Sequence, residues 1–181
     1  MTTKTLDRAL YAWLGELLAY PGADYLNRVA AARDAVQEDY PEPAHSLGVF
    51  LGELEGKTRT ELEESYTRTF DFAPLSAAYV SAHLFGDQSF RRSQLMAGLV
   101  AAYRRVEFDP GPELPDHLAV ILRFAPHFSE PEWSDMAQYC LRIPAAKIRE
   151  ALERGGSPYR HVLGAVLQAL DSDFPQESPH V

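Results

Sequence analysis

The sequence predicts an all-α fold, and three observations predict it. Apolar residues recur with a helical period in one segment after another. Proline, glycine and capping boxes fall between those segments. Nowhere do two alternating apolar and polar runs flank a hairpin turn, as an antiparallel sheet would require.

The elements follow in order. Leu6, Leu10, Trp13, Leu14, Leu17 and Leu18 keep helical spacing from Leu6 to Tyr20, and Pro21-Gly22 ends the segment. A second helix spans about Asp24 to Asp39 through Leu26, Val29 and Val36, and stops at Pro41-Glu42-Pro43. A third carries Leu47, Phe50, Leu51 and Leu54 before Gly56. Thr58 with Glu61, or Thr60 with Glu63, makes a capping box that starts a helix lined by Leu62, Tyr66 and Phe70. Ser76 to Leu84 reads as a short helix, although Tyr79-Val80 also tolerates extension. After Gly86, with Asp87 as N-cap, a long helix covers about Gln88 to Val106.

The loop Asp109-Pro110-Gly111-Pro112 leads to the stretch Glu113-Leu114-Pro115-Asp116-His117-Leu118. Pro115 suits a first helical position, so a helix is expected to begin there. Leu114, Leu118, Ile121, Leu122 and Ala125 would share its apolar face, with His117 on the edge, Glu113 one turn before it and Asp116 directed elsewhere. Ser129 with Glu132 is a further capping box; its helix runs through Trp133, Met136 and Leu141 until Pro144 kinks or divides it. Ala145 to Arg154 ends at Gly155-Gly156, and Ser157-Pro158 caps a last helix through Leu170. Residues 1–170 are expected to form a single helical domain, and 171–181 a frayed tail.

Composition excludes several classes. Seventeen Lys and Arg against 26 Asp and Glu give a formal charge of −9, and no long basic run is present, so nucleic acid is not an expected partner. Such a charge attracts cationic peptides instead. Cys140 is the single cysteine, so no internal disulfide can form, which fits a reducing compartment. No signal-type or membrane-spanning apolar run stands out, and the cytoplasm is the expected location, without membrane insertion. Phosphate loops, dinucleotide fingerprints, nucleophile elbows and His-Glu-x-x-His are absent from the sequence.

The remaining chemistry lies in two places. Tyr66, Phe70, Phe72, Tyr79, Phe85 and Phe90 crowd one stretch; those not needed for the core can line a groove for an apolar or amphipathic peptide. Glu113, Asp116 and His117 can border that groove and hold a cationic end. The same three residues also suggest a rival from another class, a helical metal-dependent hydrolase, although no nucleophile accompanies them. The blandest account is that the acids complement helix N–H groups and the histidine satisfies a carbonyl.

Tyr66-Thr67-Arg68-Thr69-Phe70-Asp71, His83-Leu84-Phe85-Gly86-Asp87, Tyr103-Arg104-Arg105 and Glu113-Leu114-Pro115-Asp116-His117-Leu118 resemble, in this order, motifs of the NarJ/TorD/DmsD family of molybdoenzyme assembly chaperones. The likeness extends from about Leu6 to Leu170, including Leu18-Ala19-Tyr20-Pro21 at the end of the first helix and Ser157-Pro158-Tyr159 before the last, and is greatest to the NarJ branch. Arg92-Ser93-Gln94-Leu95-Met96 departs from it, with Ser and Leu where NarJ has Gly and Ala.

The resemblance implies an all-helical, non-enzymatic chaperone without a cofactor of its own. It would bind the N-terminal segment of the apo catalytic subunit of a molybdopterin oxidoreductase, nitrate reductase first among them, until the molybdenum cofactor is inserted. Chaperones of selenate, perchlorate, dimethyl sulfide or ethylbenzene enzymes are the alternatives. Proteins of molybdenum cofactor biosynthesis are further implied partners. The implied peptide-binding residues are Tyr66, Thr69 and Phe70 on one segment and Asp116 and His117 on the other, with Glu113 beside them.

Overall fold

The computed structural model describes residues 8–71, 77–86 and 89–176. These residues are helical throughout, apart from turns and one isolated antiparallel bridge between Tyr79 and His117. The helices are α1 (Ala9–Leu17), α2 (Tyr25–Val36), α3 (Pro41–Leu54), α4 (Arg59–Phe70), α5 (Val80–Phe85), α6 (Phe90–Arg105), α7 (Leu118–Phe124), α8 (Glu130–Asp135), α9 (Arg142–Arg154) and α10 (Arg160–Asp173). Leu6, Phe72, Ser76, Asp87 and Gln88, to which sequence reading gave helix starts or packing, lie outside the described residues.

α7 is the central helix. Leu118, Val120, Ile121, Leu122 and Phe124 are all buried, so every side of it meets protein. α1 lies against α7, and Gly15 is what lets it approach. A Cβ on Gly15 would stand 2.7 Å from the Ala119 carbonyl oxygen and 2.8 Å from the Arg123 nitrogen, both backbone atoms that cannot step aside. α10 packs between α3 and α9, while α5 bridges α6 and α9. Trp133, Tyr11, Phe128 and Phe124 form an aromatic chain through this core, Tyr11 and Trp133 meeting edge-on at 4.7 Å.

Several local expectations hold and several are displaced. The Thr58–Glu61 and Ser129–Glu132 capping boxes both form. Glu63, the alternative acid, pairs with Arg59 on the same helix instead. α3 begins at Pro41, because that proline suits the first helical position rather than only ending α2. α6 is capped by Ser89, whose hydroxyl accepts from the Arg91 N–H. Pro144 does not divide its helix: a π-helical turn over Met136–Leu141 precedes it and takes up the register that the proline ring disrupts. Ser157 does not cap α10 through its side chain, which is bonded to Thr69.

The C-terminal helix runs past residue 171. Asp173 accepts from the hydroxyls of Tyr11 and Tyr40 at 2.8 and 2.9 Å, and Arg142 pairs with Asp171 and bonds the Leu170 and Phe174 carbonyls. These partners come from α1, α3's edge and α9, so no local pattern announced them.

One strained residue marks the end of α6. Glu107 has φ 55°, and the Phe108 N–H bonds the Tyr103 carbonyl at 2.9 Å, a helix stop that ordinarily uses glycine. α9 ends the same way with Gly156 at φ 65°. Glu107→Gly is therefore expected to raise the unfolding free energy by about 0.5–1 kcal/mol, measurable as a higher urea midpoint at unchanged slope.

Candidate functional site

The site begins with α5, a helix of only six residues whose N-cap, Tyr79, provides no side-chain bond. Its orphan N–H groups need an acceptor, and a distant residue supplies one. The Asp116 carboxylate accepts from both the N–H and the hydroxyl of Ser81, in the first turn of α5. The backbone completes the joint: the Val80 N–H donates to the Asp116 carbonyl at 2.9 Å, and the Leu118 N–H to the Ala78 carbonyl at 2.7 Å.

His117 is itself the N-cap of α7, its Nδ1 accepting from the Ala119 N–H at 3.2 Å. Two adjacent residues thus cap two different helices. This corrects the expectation of a helix from Pro115. Residues 113–117 precede α7, Leu114 is 46% exposed rather than on the apolar face, and Asp116 is wholly buried rather than at a rim. The physical reason is that capping α5 gives the buried carboxylate two donors, which a helical turn at Pro115 would deny it.

The joint presents two polar groups outward. Glu113 accepts from the Tyr79 hydroxyl at 3.1 Å, and both residues are half-buried. The Tyr79 ring meets the His117 imidazole edge-on at 5.3 Å. Arg92, one of the arginine pair noted in the sequence, reaches in from α6 and donates to the Ser81 hydroxyl at 3.0 Å. Arg105 of the second pair is held by Glu132 at 2.8 Å.

α4 supplies the aromatic side. Tyr66 is buried, donates weakly to the Leu18 carbonyl at 3.4 Å, and packs on Phe70 at 4.9 Å, Tyr20 at 5.4 Å and Tyr159 at 5.9 Å. Phe70 lies half-buried against Tyr159 at 5.1 Å. Thr69 is buried; its hydroxyl bonds the Ser65 carbonyl at 2.7 Å and the Ser157 hydroxyl at 2.9 Å, which fastens α4 to the turn before α10.

Burial, and after it the charge of Glu113, pushes the Tyr66 phenol well above its ordinary pKa. Tyr20, 54% exposed, continues the aromatic surface beyond Tyr66. Of the six residues singled out in the sequence, Phe70 and Glu113 are accessible, whereas Tyr66, Thr69, Asp116 and His117 are buried beneath them.

Sequence reasoning missed Tyr20, Ser81 and Tyr159 as members of the site. Tyr20 and Tyr159 stand in the stretches Leu18-Ala19-Tyr20-Pro21 and Ser157-Pro158-Tyr159, which carry part of the family resemblance. Ser81 carried no signal, since its role exists only across a tertiary contact.

Burial lowers the His117 pKa, against opposing contributions from Glu113 and Asp116. The folded state therefore holds its imidazole neutral, as the Nδ1 cap requires. The unfolded chain binds a proton below its ordinary value near 6.5, so this residue favours folding above that value and opposes it as the pH falls. His117→Asn, which keeps a capping oxygen without a titration, is expected to flatten the decline in urea midpoint between pH 7 and 5. An identical decline in both proteins would remove His117 as its source.

Among the described residues there is no group of three or more His, Cys, Asp or Glu placed to hold a metal ion. No helix among them is long and apolar enough to cross a membrane.

Comparison with known proteins agrees with this architecture. The family model described as nitrate reductase delta subunit matches residues 33–163. The nitrate reductase molybdenum cofactor assembly chaperone NarJ of Escherichia coli (strain K12) is 27% identical over 172 residues, covering 88% of this chain and 70% of the relative. A probable NarJ of Bacillus subtilis (strain 168) is 28% identical over 178 residues, 96% of this chain and 95% of the relative. The nitrate reductase-like protein NarX of Mycobacterium tuberculosis (strain ATCC 25618 / H37Rv) is 28% identical over 156 residues, 86% of this chain but 23% of that longer protein. Matched by one model over most of its length and by NarJ along nearly all of it, this chain belongs to the nitrate reductase delta subunit family, the NarJ/TorD type of chaperone.

Proposed function

We propose that the chain is an assembly chaperone for a molybdenum oxidoreductase, with respiratory nitrate reductase as the client, acting in the cytoplasm. The names of its relatives support the class of client. The observations that support the docking mode are the partial exposure of Phe70 on α4 and that of Tyr79 and Glu113, which bond each other beside the buried joint.

In this reading the N-terminal segment of the apo catalytic subunit lays an apolar side chain on Phe70 and Tyr20. Its cationic end meets Glu113. Tyr66, Thr69, Asp116 and His117 are positioning residues: Tyr66 and Thr69 set the pitch of α4, while Asp116 and His117 fix the lip that carries Tyr79 and Glu113. The chaperone releases the segment once the molybdenum cofactor is in the client, and proteins of molybdenum cofactor biosynthesis are its further partners. No turnover is assigned to it. Of the two carboxylates of the hydrolase alternative, Asp116 is enclosed and already accepts from Ser81, which leaves Glu113 as the accessible one.

The test is copurification of the chain with nitrate reductase catalytic subunit from cells with and without molybdenum cofactor synthesis, joined to calorimetry against the subunit's N-terminal peptide. Preferential capture of the cofactor-free subunit, and peptide binding, are expected. Equal capture of loaded and unloaded subunit would overturn the chaperone reading. Capture of the apo subunit without any affinity for the peptide would overturn the docking mode alone.

A further inference from the structure

A cavity of about 290 Å³ opens between α1 and α2, lined by Trp13, Glu16 and Leu17 on one side and Arg28, Ala31, Ala32 and Ala35 on the other. None of these residues belongs to the aromatic surface assigned to the client. Its volume stands at the lower end of the roughly 300–1,000 Å³ usual for small-molecule pockets, so a ligand of few atoms fits it. On each helix the lining residues recur three and four positions apart and so form one face. From Arg28 to Ala35 the trough runs about 10 Å at 1.5 Å per residue, and the α2 side beyond Arg28 consists of methyl groups alone.

The charges gather at one end. The chain turns back between α1 and α2, and the Tyr25 hydroxyl donates to the Leu17 carbonyl, so the last turn of α1, with Glu16, lies beside the first turn of α2, with Arg28. Arg28 is short of partners. Its Nε is buried without a hydrogen-bond partner, and the carboxylate of Asp24, at 3.6 Å, is too far to provide one. Glu16 is exposed and has no ion-pair partner among the described residues.

We infer that this cavity binds a free α-amino acid with an apolar side chain, its carboxylate on the Arg28 guanidinium, its ammonium on Glu16 and its side chain along Trp13, Leu17 and the alanines. A plain carboxylate would be repelled by Glu16, and a plain amine by Arg28. A zwitterion answers both at the end where they stand and leaves no charge to desolvate in the apolar part. Within a polypeptide the same residue carries neither charge, so the site distinguishes a free amino acid from a chain segment. This inference does not depend on the reading of the aromatic cleft.

The probes are L-phenylalanine, its amide, which lacks the carboxylate, and hydrocinnamate, which lacks the ammonium. Titrated into the isotope-labelled full chain, phenylalanine is expected to shift the indole N–H resonance of Trp13 saturably, while that of Trp133, wholly buried in the core, stays in place. Trp13→Phe assigns the two signals. Each truncated probe should bind at least tenfold more weakly. Arg28→Gln should lose phenylalanine at least tenfold, and Glu16→Gln should erase its advantage over hydrocinnamate. Ala31→Leu, at an exposed position of α2, fills the trough and should weaken phenylalanine at least tenfold at an unchanged melting temperature. Should Arg28→Gln lose stability, the probe series on the parent chain and Ala31→Leu decide without it. The absence of a saturable Trp13 shift, equal affinity for the three probes, or undiminished binding by Ala31→Leu would overturn the inference. So would binding that Phe70→Ala abolishes and Arg28→Gln leaves intact, which would put the ligand on the aromatic surface.

Discussion

Asp116→Ala is expected to lower the unfolding free energy by about 2–3 kcal/mol and, at this chain length, the melting temperature by roughly 5–10 °C. The reason is the pair of donors it would strand. The Ser81 N–H and hydroxyl are buried and turn to Asp116, and leaving each unpaired costs about 1–3 kcal/mol. Part of that loss is offset, because the second carboxylate oxygen, Oδ1, is buried without a partner and its removal relieves a desolvation cost. Asp116→Asn keeps an acceptor for Ser81 and should lose less, about 1 kcal/mol. The same substitutions are expected to weaken peptide binding in the same order, since the lip bearing Tyr79 and Glu113 loses its anchor. Thermal and urea unfolding of both variants decides the matter, and an alanine variant as stable as the parent would mean that the joint does not hold the fold.

Phe70→Ala tests the accessible half of the site and should have the opposite signature. Removing a ring that an apolar peptide side chain covers is expected to cost about 1.5–3 kcal/mol of binding, or roughly tenfold to hundredfold in affinity. Stability should suffer less than the 3–5 kcal/mol typical of a fully buried phenylalanine, about 1–2 kcal/mol, because Phe70 is only half-buried and Tyr66 and Tyr159 still meet without it. Calorimetry with the client's N-terminal peptide, run beside a melting curve, separates the two effects. Unchanged affinity in a folded Phe70→Ala protein would move the peptide away from this surface.

These two variants divide the site along the line where sequence reading succeeded and where it fell short. The aromatic spacing of Tyr66 and Phe70 was visible because helical period is a local property. The polar stretch was visible as a group of residues but not as a geometry. Pro115 and the apolar run after it are as consistent with a helix starting at Pro115 as with an extended lead into Leu118. Only the unsatisfied first turn of α5, some 35 residues earlier, decides between them. Pro144 is a similar case, because a helix can pass a proline if a wider turn nearby takes up the register.

The sequence by itself determined the helical class, most element boundaries, two capping boxes and the family, because periodicity, proline, glycine and short-range capping act within a few residues of chain. The tertiary structure alone decided which of the six candidate residues face outward, which helix Asp116 caps, and how far the last helix runs before it ends. Those outcomes depend on hydrogen-bond partners contributed by distant segments, and a buried donor or acceptor takes whatever partner the packed chain brings within reach.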